Sequence, residues 1–138
     1  MNFLVDTNVV SEIARPRPDR AVLGWFESVA DHTLYLSVLS IGEIRKGVEK
    51  LPDGKRRKEL KVWLEEALPA WFGPRLLPVD RAVADQWGTL MAASARPLPA
   101  IDSLLAATAL THGLVIVTRN VADFAVAGLK VLNPWQAP

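Results

Sequence analysis

The chain contains no cysteine among its 138 residues, and this absence excludes several kinds of chemistry together. Disulfide bridges, zinc–thiolate sites and thiol catalysis all need that side chain. No stretch approaches the roughly 18 apolar residues that a membrane span requires, and the first residues lack the basic start of a signal peptide. We therefore expect a soluble, cytoplasmic protein with no membrane association.

A large net charge is also missing, since 16 Lys and Arg stand against 15 Asp and Glu. No overall electric field therefore argues for a nucleic-acid partner. One segment differs, because eight Lys or Arg and only three acids lie between Arg45 and Lys61. Its candidates for holding a phosphate backbone are Arg45, Lys46, Lys50, Lys55, Arg56, Arg57 and Lys58. The alternative interpretation is a solvated helix face.

Half of the residues are hydrophobic, and the length suits one domain over residues 1–138. Apolar runs predict strands at 2–6, 33–38, 75–79, 114–117 and 130–132. Helical spacing and capping residues predict helices at 7–14, from Asp19 onward, and at 40–50, 55–68, 80–94 and 100–110. This alternation favours an α/β fold, with a parallel sheet of four to five strands covered on both faces.

Four acids lie where a hydrophobic element has just ended or a buried helix begins: Asp6, Glu43, Asp102 and Asp123. Two carboxylates about 4 Å apart repel by roughly 4 kcal/mol at an effective dielectric of 20. Several of them in one pocket would therefore become protonated unless a divalent cation neutralised them. Ligands that are all oxygen favour Mg²⁺, with Mn²⁺ as a possible substitute, over zinc or copper.

Each acid also has a purely structural interpretation. Asp6 follows a strand and could simply cap the next helix, although Thr7 and Asn8 add further oxygen ligands there. Glu43 could reach back to the Ser40 amide in a capping box. Asp102 is harder to explain in this way, because it is expected in an apolar helix where an unpaired charge is costly.

The fourth acid, Asp123, could be a surface turn residue, and Asn120 is better placed at the end of its strand. These alternatives stay open on the residues alone. In open α/β sheets ligands bind beyond the carboxyl ends of the strands, where Asp6 and the Thr118-Arg119-Asn120 segment are expected.

Four segments, taken in order, resemble the signature of PIN-domain ribonucleases. They are Leu4-Val-Asp-Thr-Asn8, Ser40-Ile-Gly-Glu-Ile44, Ala100-Ile-Asp-Ser-Leu-Leu-Ala-Ala-Thr-Ala109 and Val117-Thr-Arg-Asn-Val-Ala-Asp-Phe124. The sequence closely resembles the VapC toxins of bacterial toxin–antitoxin pairs and the related FitB group. The resemblance extends from residue 1 to about residue 134.

The resemblance implies a Rossmann-like α/β/α sandwich and Mg²⁺-dependent cleavage of RNA. It carries over Asp6, Glu43 and Asp102 as metal-binding acids; from their positions we add Thr7 and Thr118 as supporting residues that would orient a water or a ligand. Many relatives have an acid directly after the fourth strand; here Asn120 stands there, and Asp123 follows three residues later. The fourth ligand could therefore be Asn120, Asp123 or neither.

The resemblance further implies a homodimer and a small VapB-like antitoxin whose C-terminal part blocks the site. A guanidinium of the antitoxin could bridge two carboxylates and compete with Mg²⁺. Apolar anchors for such a partner would come from Val9, Val10, Ile13, Trp25, Phe26, Trp63, Leu64 and Trp71, although packing in the core is the more natural expectation for them.

Two other functions fit parts of the pattern. An aspartyl-phosphate phosphatase could use Asp6 as its nucleophile, but enzymes resembling the haloacid dehalogenases have a second acid two residues later, where Asn8 stands. A non-catalytic metal- or RNA-binding module would use the acids only as caps or as a cation site. Cleavage of RNA by the pure protein would separate the nuclease from both alternatives.

Overall fold

In the computed structural model, which describes residues 1–136, strands and helices alternate as predicted. The strands are β1 (Phe3–Val5), β2 (Leu34–Ser37), β3 (Leu76–Leu77), β4 (Val115–Val117) and β5 (Val131–Leu132). The helices are α1 (Thr7–Glu12), α2 (Arg20–Ser28), α3 (Val38–Glu49), α4 (Lys55–Val62), α5 (Leu68–Phe72), α6 (Arg81–Ala93) and α7 (Ala100–His112). In the part of the chain that the structure describes, no helix is both long and apolar enough to cross a membrane.

The five strands form one sheet in the order β3-β2-β1-β4-β5, and every neighbouring pair is parallel. The predicted parallel α/β sheet is thereby confirmed. β1 is central and every residue in it is buried, as expected for a parallel strand covered on both faces. Val5 pairs with Val117, so the residues that follow these two strands emerge side by side at the carboxyl edge.

Alternating side chains of the strands pack into two separate cores, one on each face of the sheet. Val5 and Val117 point to the first face, where they pack with residues of α1 to α5. Leu4 and Ile116 point to the second face, against α6 and α7. Helices therefore cover both faces in a Rossmann-like α/β/α sandwich.

The starts of several helices follow their capping residues. Asp19 and Asp80 cap α2 and α6 through their side chains, as predicted. α3, in contrast, begins at Val38 rather than near Ser40, because the Ser37 hydroxyl accepts a hydrogen bond from the Leu39 N–H at 3.0 Å. Ser40 therefore lies inside the helix, and the capping box that paired it with Glu43 is wrong.

The predicted helix over 55–68 extends further, to Phe72, and contains a π-helical segment at Trp63–Ala67. Within this segment the Leu68 N–H donates to the Trp63 carbonyl, five residues back. Pro69 follows directly, and its ring and missing N–H are incompatible with a regular α-helical turn. The wider turn accommodates the proline without ending the helix.

Strand β3 is shorter than the predicted 75–79. Arg75 ends a 3₁₀ turn, and Pro78 has no N–H with which to continue the ladder. The shortening leaves the position of α6 unchanged, since its cap at Asp80 is intact.

Candidate active site at the carboxyl edge of the sheet

Asp6 follows β1 directly and is buried, with 6% of its surface exposed. Its carboxylate is held from two sides. Oδ1 accepts a hydrogen bond from the Thr7 N–H at 2.7 Å, and Oδ2 accepts one from the Thr118 hydroxyl at 2.8 Å. Asp6 therefore caps α1, as one of its two predicted roles required. Its carboxylate is also hydrogen-bonded to Thr118, at the end of β4.

Thr7 connects Asp6 with α3. Its hydroxyl donates to Glu43 Oε1 at 2.6 Å and lies 2.8 Å from the buried hydroxyl of Ser40. The carboxylate of Glu43 therefore faces the first turn of α1 instead of its own helix terminus. This contact brings the second predicted acid to the same edge of the sheet as Asp6.

Asp102 lies in the first turn of α7 and is half-buried. Burial raises its pKa to about 6, and the negative charges of Asp6, Asp123 and Glu43 add to this rise, in that order of size. Its side chain is less deeply buried than the apolar sequence around it predicts. Its charge acts on those of the other three acids, so Asp102 lies near the same edge of the sheet.

Asp123 is exposed and lies in a 3₁₀ turn, Val121–Phe124, just after β4. Its charge acts on both Asp6 and Asp102. Asn120 is also exposed, and its backbone N–H donates to the Thr118 hydroxyl at 3.1 Å. Of the two candidates for the fourth position, Asp123 therefore contributes a charge to the pocket and Asn120 helps to hold Thr118.

The pKa of Asp6 is raised above its ordinary value chiefly because the group is buried. Hydrogen bonds from Thr118 and Thr7 oppose this shift, whereas the charges of Glu43 and Asp123 add to it. The pocket therefore disfavours its own negative charge, which is the electrostatic situation that a cation relieves.

The donor atoms here are carboxylate and hydroxyl oxygens, which suit a hard cation such as Mg²⁺. Within residues 1–136, no three His, Asp or Glu side chains are close enough to form a finished ligand set. Mg²⁺ commonly keeps several waters and uses only one or two protein carboxylates, so an incomplete set still fits this ion.

Of the seven basic residues that were predicted to hold RNA, four form ion pairs with acids within residues 1–136 and three do not. Arg45 pairs with Glu65 at 2.6 Å, and Arg57 pairs with Glu49 at 2.7 Å. Lys55 and Arg56 lie 3.8 and 4.0 Å from carboxylate oxygens of Glu59. Lys46, Lys50 and Lys58 are exposed and have no ion pair among the described residues, so no neighbouring acid offsets their charges.

A groove of about 320 Å³ lies between α1, α3 and α4. Thr7 and Glu43 line one part of it, and Arg15 and Arg56 also contribute to its walls. Its remaining lining residues are Ser11, Ala14, Ile44, Gly47, Val48, Leu51, Leu60 and Trp63. The groove is therefore apolar along much of its length and contacts both acidic and basic side chains.

Of the apolar anchors proposed for a partner, Trp63 alone lines this groove. The other seven pack in or against the core of the first face: Val9, Val10, Ile13, Trp25, Phe26, Leu64 and Trp71. Neighbouring aromatic rings of this set contact one another, for example Trp25 and Phe26 with centroids 5.1 Å apart. Core packing accounts for Val9, Val10 and Leu64, which are buried, whereas Ile13, Trp25, Phe26 and Trp71 are half-buried and their assignment as partner anchors stays a prediction.

Two residues at this edge were not singled out by the sequence analysis. The guanidinium of Arg119, the residue after Thr118, lies 4.9 Å from the centre of the Trp135 ring. The adjacency of Arg119 to Thr118 was visible in the sequence. Its contact with Trp135 was not, because sixteen positions and β5 separate the two residues.

A model of the PIN domain family matches residues 3–128 of the chain. The chain is 42% identical to a VapC ribonuclease of Sinorhizobium fredii, over 97% of this chain and 98% of that protein. It is 36% identical to the toxin FitB of Neisseria gonorrhoeae, over 96% and 98% of the two chains. The crystal structure of FitAcB from the same organism superposes with a TM-score of 0.89, at 36% identity and over 98% of this chain and 99% of that one. The chain therefore belongs to the PIN-domain family, among relatives of the VapC and FitB type.

Proposed function

We propose that this protein is a Mg²⁺-dependent endoribonuclease and the toxin of a type II toxin–antitoxin pair. The observation that carries the proposal is that Asp6 is hydrogen-bonded to Thr7 and Thr118 at the carboxyl edge of the sheet, Thr7 is hydrogen-bonded to Glu43, and the charges of Glu43, Asp102 and Asp123 act on those around them there. Relatives that match almost the whole chain bear the names VapC ribonuclease and toxin FitB, which supports RNA as the substrate and toxicity as the role. An RNA substrate also favours action in the cytoplasm.

Asp6, Glu43 and Asp102 are the side chains that would hold the cation, with Asp123 as the preferred fourth ligand and Asn120 as the alternative. A bound Mg²⁺ would lower the pKa of a water and polarise a phosphoryl oxygen, as needed for phosphodiester hydrolysis. Mn²⁺ could substitute for it.

The threonines orient these acids. Thr118 and the Thr7 N–H donate to the two oxygens of Asp6, so the direction of its carboxylate is fixed and the rise of its pKa on burial is partly opposed. The Thr7 hydroxyl orients Glu43 in the same way. Such preorganisation means that little side-chain ordering remains when substrate binds.

The test is incubation of the purified protein, free of any partner, with total RNA in Mg²⁺ or EDTA, followed by mapping of the cut ends. We expect cuts in Mg²⁺, none in EDTA, and none with Asp6→Asn in either buffer. Cation binding without cuts would favour a non-catalytic module. Release of phosphate from small phosphomonoesters without cuts in RNA would favour the aspartate-nucleophile phosphatase.

We also propose an antitoxin partner and a homodimer. The similar FitAcB and FitAB structures are toxin–antitoxin complexes, which supports the partner. The groove beside Thr7 and Glu43 could receive an amphipathic segment from the partner's C-terminal part, with Trp63 and Leu60 as apolar contacts. An Arg of that segment would then reach the acids and compete with Mg²⁺.

A further inference from the structure

Arg119 differs from most arginines of the chain in having an aromatic partner and no acidic one. It is exposed, and no carboxylate of residues 1–136 lies within ion-pair distance of it. Its guanidinium lies over the Trp135 ring at 4.9 Å. Stacking of this kind leaves the N–H edges of the guanidinium directed outward, where they can bind an anion.

Trp135 is a fixed support for that guanidinium. Its ring is half-buried against the core of the first face. The backbone before it is held in a turn, because Asn133 Oδ1 accepts a hydrogen bond from the Trp135 N–H at 2.9 Å and Pro134 is buried. The Gln136 N–H closes the turn by donating to the Asn133 carbonyl at 3.2 Å. Arg119 is therefore oriented before any ligand arrives.

The sheet places this pair beside the acids. Val5 pairs with Val117, and Val117 pairs with Leu132, so the ends of β1, β4 and β5 lie in one row. Neighbouring strands lie about 4.8 Å apart, which puts the turn after β5 about 10 Å from Asp6. A nucleic-acid strand whose scissile phosphate lies at the acids would extend over this turn if it crossed the sheet edge toward β5.

We infer that Arg119, stacked on Trp135, binds a phosphate of the RNA strand next to the one that is cleaved. The inference rests on the proposed function, because the anion it names belongs to that substrate. The acids repel a polyanion, so a fixed cation beside them is needed to hold the strand. Arg45 and Arg57 of the predicted basic segment are already neutralised by acids of the chain, whereas Arg119 is not.

The test measures binding of a fluorescein-labelled single-stranded oligouridylate by anisotropy, in EDTA, as a function of salt. Removal of one side chain that neutralises a phosphate of a single strand lowers the salt slope by about 0.7. We expect that reduction and about tenfold weaker binding for Arg119→Gln. Arg119→Lys should keep the slope and lose part of the affinity, because the charge remains while the stacked fork is removed.

Lys130→Gln is the matched control, because it removes one exposed positive charge at the opposite, amino end of β5. It should behave as the wild type. Trp135→Phe keeps a ring in the core and should weaken binding less than Arg119→Gln does, and thermal melting confirms that each variant is folded. In Mg²⁺, Arg119→Gln should raise KM about tenfold and leave kcat within about twofold.

The two proposals fail in different ways. If the wild type cuts RNA but Arg119→Gln matches Lys130→Gln in salt slope and KM, the inference about Arg119 is overturned and the nuclease assignment stands. If the wild type makes no Mg²⁺-dependent cut, the proposed function is contradicted whatever Arg119 does.

Discussion

Asp102 has a pKa near 6 because burial and three neighbouring carboxylates disfavour its charged form. We predict that Asp102→Asn lowers Mg²⁺-dependent RNA cleavage on the order of 100-fold, since one ligand charge is removed. The folded protein should remain intact, because an amide fits the same space without the repulsion. Initial cleavage rates over a Mg²⁺ series measure the effect, and full activity in the variant would show that Asp102 is not a ligand.

The same residue predicts a dependence of stability on pH. Its pKa rises from about 3.8 to about 6 on folding, so the folded metal-free protein binds the proton more tightly. The stabilisation that this proton gives is complete below about pH 4 and is lost as the pH rises through 6. In EDTA, Asp102→Asn should therefore melt higher than the wild type above pH 6, and the difference should shrink toward pH 4. A difference that does not vary with pH would contradict this coupling.

The identity of the fourth metal ligand can be decided by comparing Asp123→Asn with Asn120→Ala. We predict about a tenfold larger loss of Mg²⁺ affinity for Asp123→Asn, because only Asp123 carries a charge, and that charge acts on both Asp6 and Asp102. The measurement is the Mg²⁺ concentration that gives half-maximal cleavage. Equal and negligible losses would leave a site of three acids.

Among single residues, Asp6 could be predicted from the sequence because its signal is local. An acid directly after a buried strand lies at the sheet edge wherever the other strands are. The role of Glu43 could not be separated from a helix cap by local sequence, since the hydrogen bond that decides it joins Thr7 and Glu43 across 36 positions. Arg119 and Trp135 were missed for the same reason.

At the scale of elements, some basic residues of α3 and α4 form ion pairs with acids and others form none with any described residue. We predict that combined Lys46→Gln, Lys50→Gln and Lys58→Gln weakens binding of single-stranded RNA. The salt slope should fall by about 0.7 for each phosphate that the variant no longer neutralises. Anisotropy titrations at several salt concentrations measure both quantities.

The matched control for the lysines is Arg57→Gln, which removes a charge that Glu49 and Asp53 already neutralise. It should leave the salt slope unchanged and alter the free energy of unfolding by less than about 1 kcal/mol. If the lysine variant also keeps the wild-type slope, this surface is a solvated helix face and takes no part in RNA binding.

Element order and type were predictable because apolar periodicity and caps such as Asp19 and Asp80 are local signals. The π-helical segment before Pro69 was not predictable, because a proline in a helical pattern ordinarily signals an end. Here the helix continues because Leu68 and Phe72 are buried in the core of the first face, and that packing opposes termination at the proline.

For the whole molecule, the groove between α1, α3 and α4 gives a test of partner binding at Gly47. A Cβ built there meets no atom within 4 Å, so a side chain can be added without a clash. We predict that Gly47→Tyr, which would occupy the groove, weakens inhibition by the proposed antitoxin at least tenfold. Inhibition is measured for each variant relative to its own uninhibited rate of RNA cleavage.

Gly47→Ala is the control, because a methyl group leaves the groove open and alanine favours the helix by about 1 kcal/mol. It should be inhibited like the wild type and should melt at a higher temperature. Equal inhibition of the tyrosine variant would mean that the partner binds elsewhere.

Because β1 is central in the sheet, it cannot pair with both of its neighbours until β4 has been synthesised. β1 leaves the ribosome first, yet its neighbour β4 begins only at Val115, and Thr118 contacts Asp6 across 112 positions. Parallel pairs so distant along the chain form late, because a long loop must first be closed. A nascent chain therefore exposes Asp6 without β4 beside it until Val115–Val117 and Thr118 have been synthesised. An interrupted translation product that ends before β4 cannot assemble this site, whatever its other helices do.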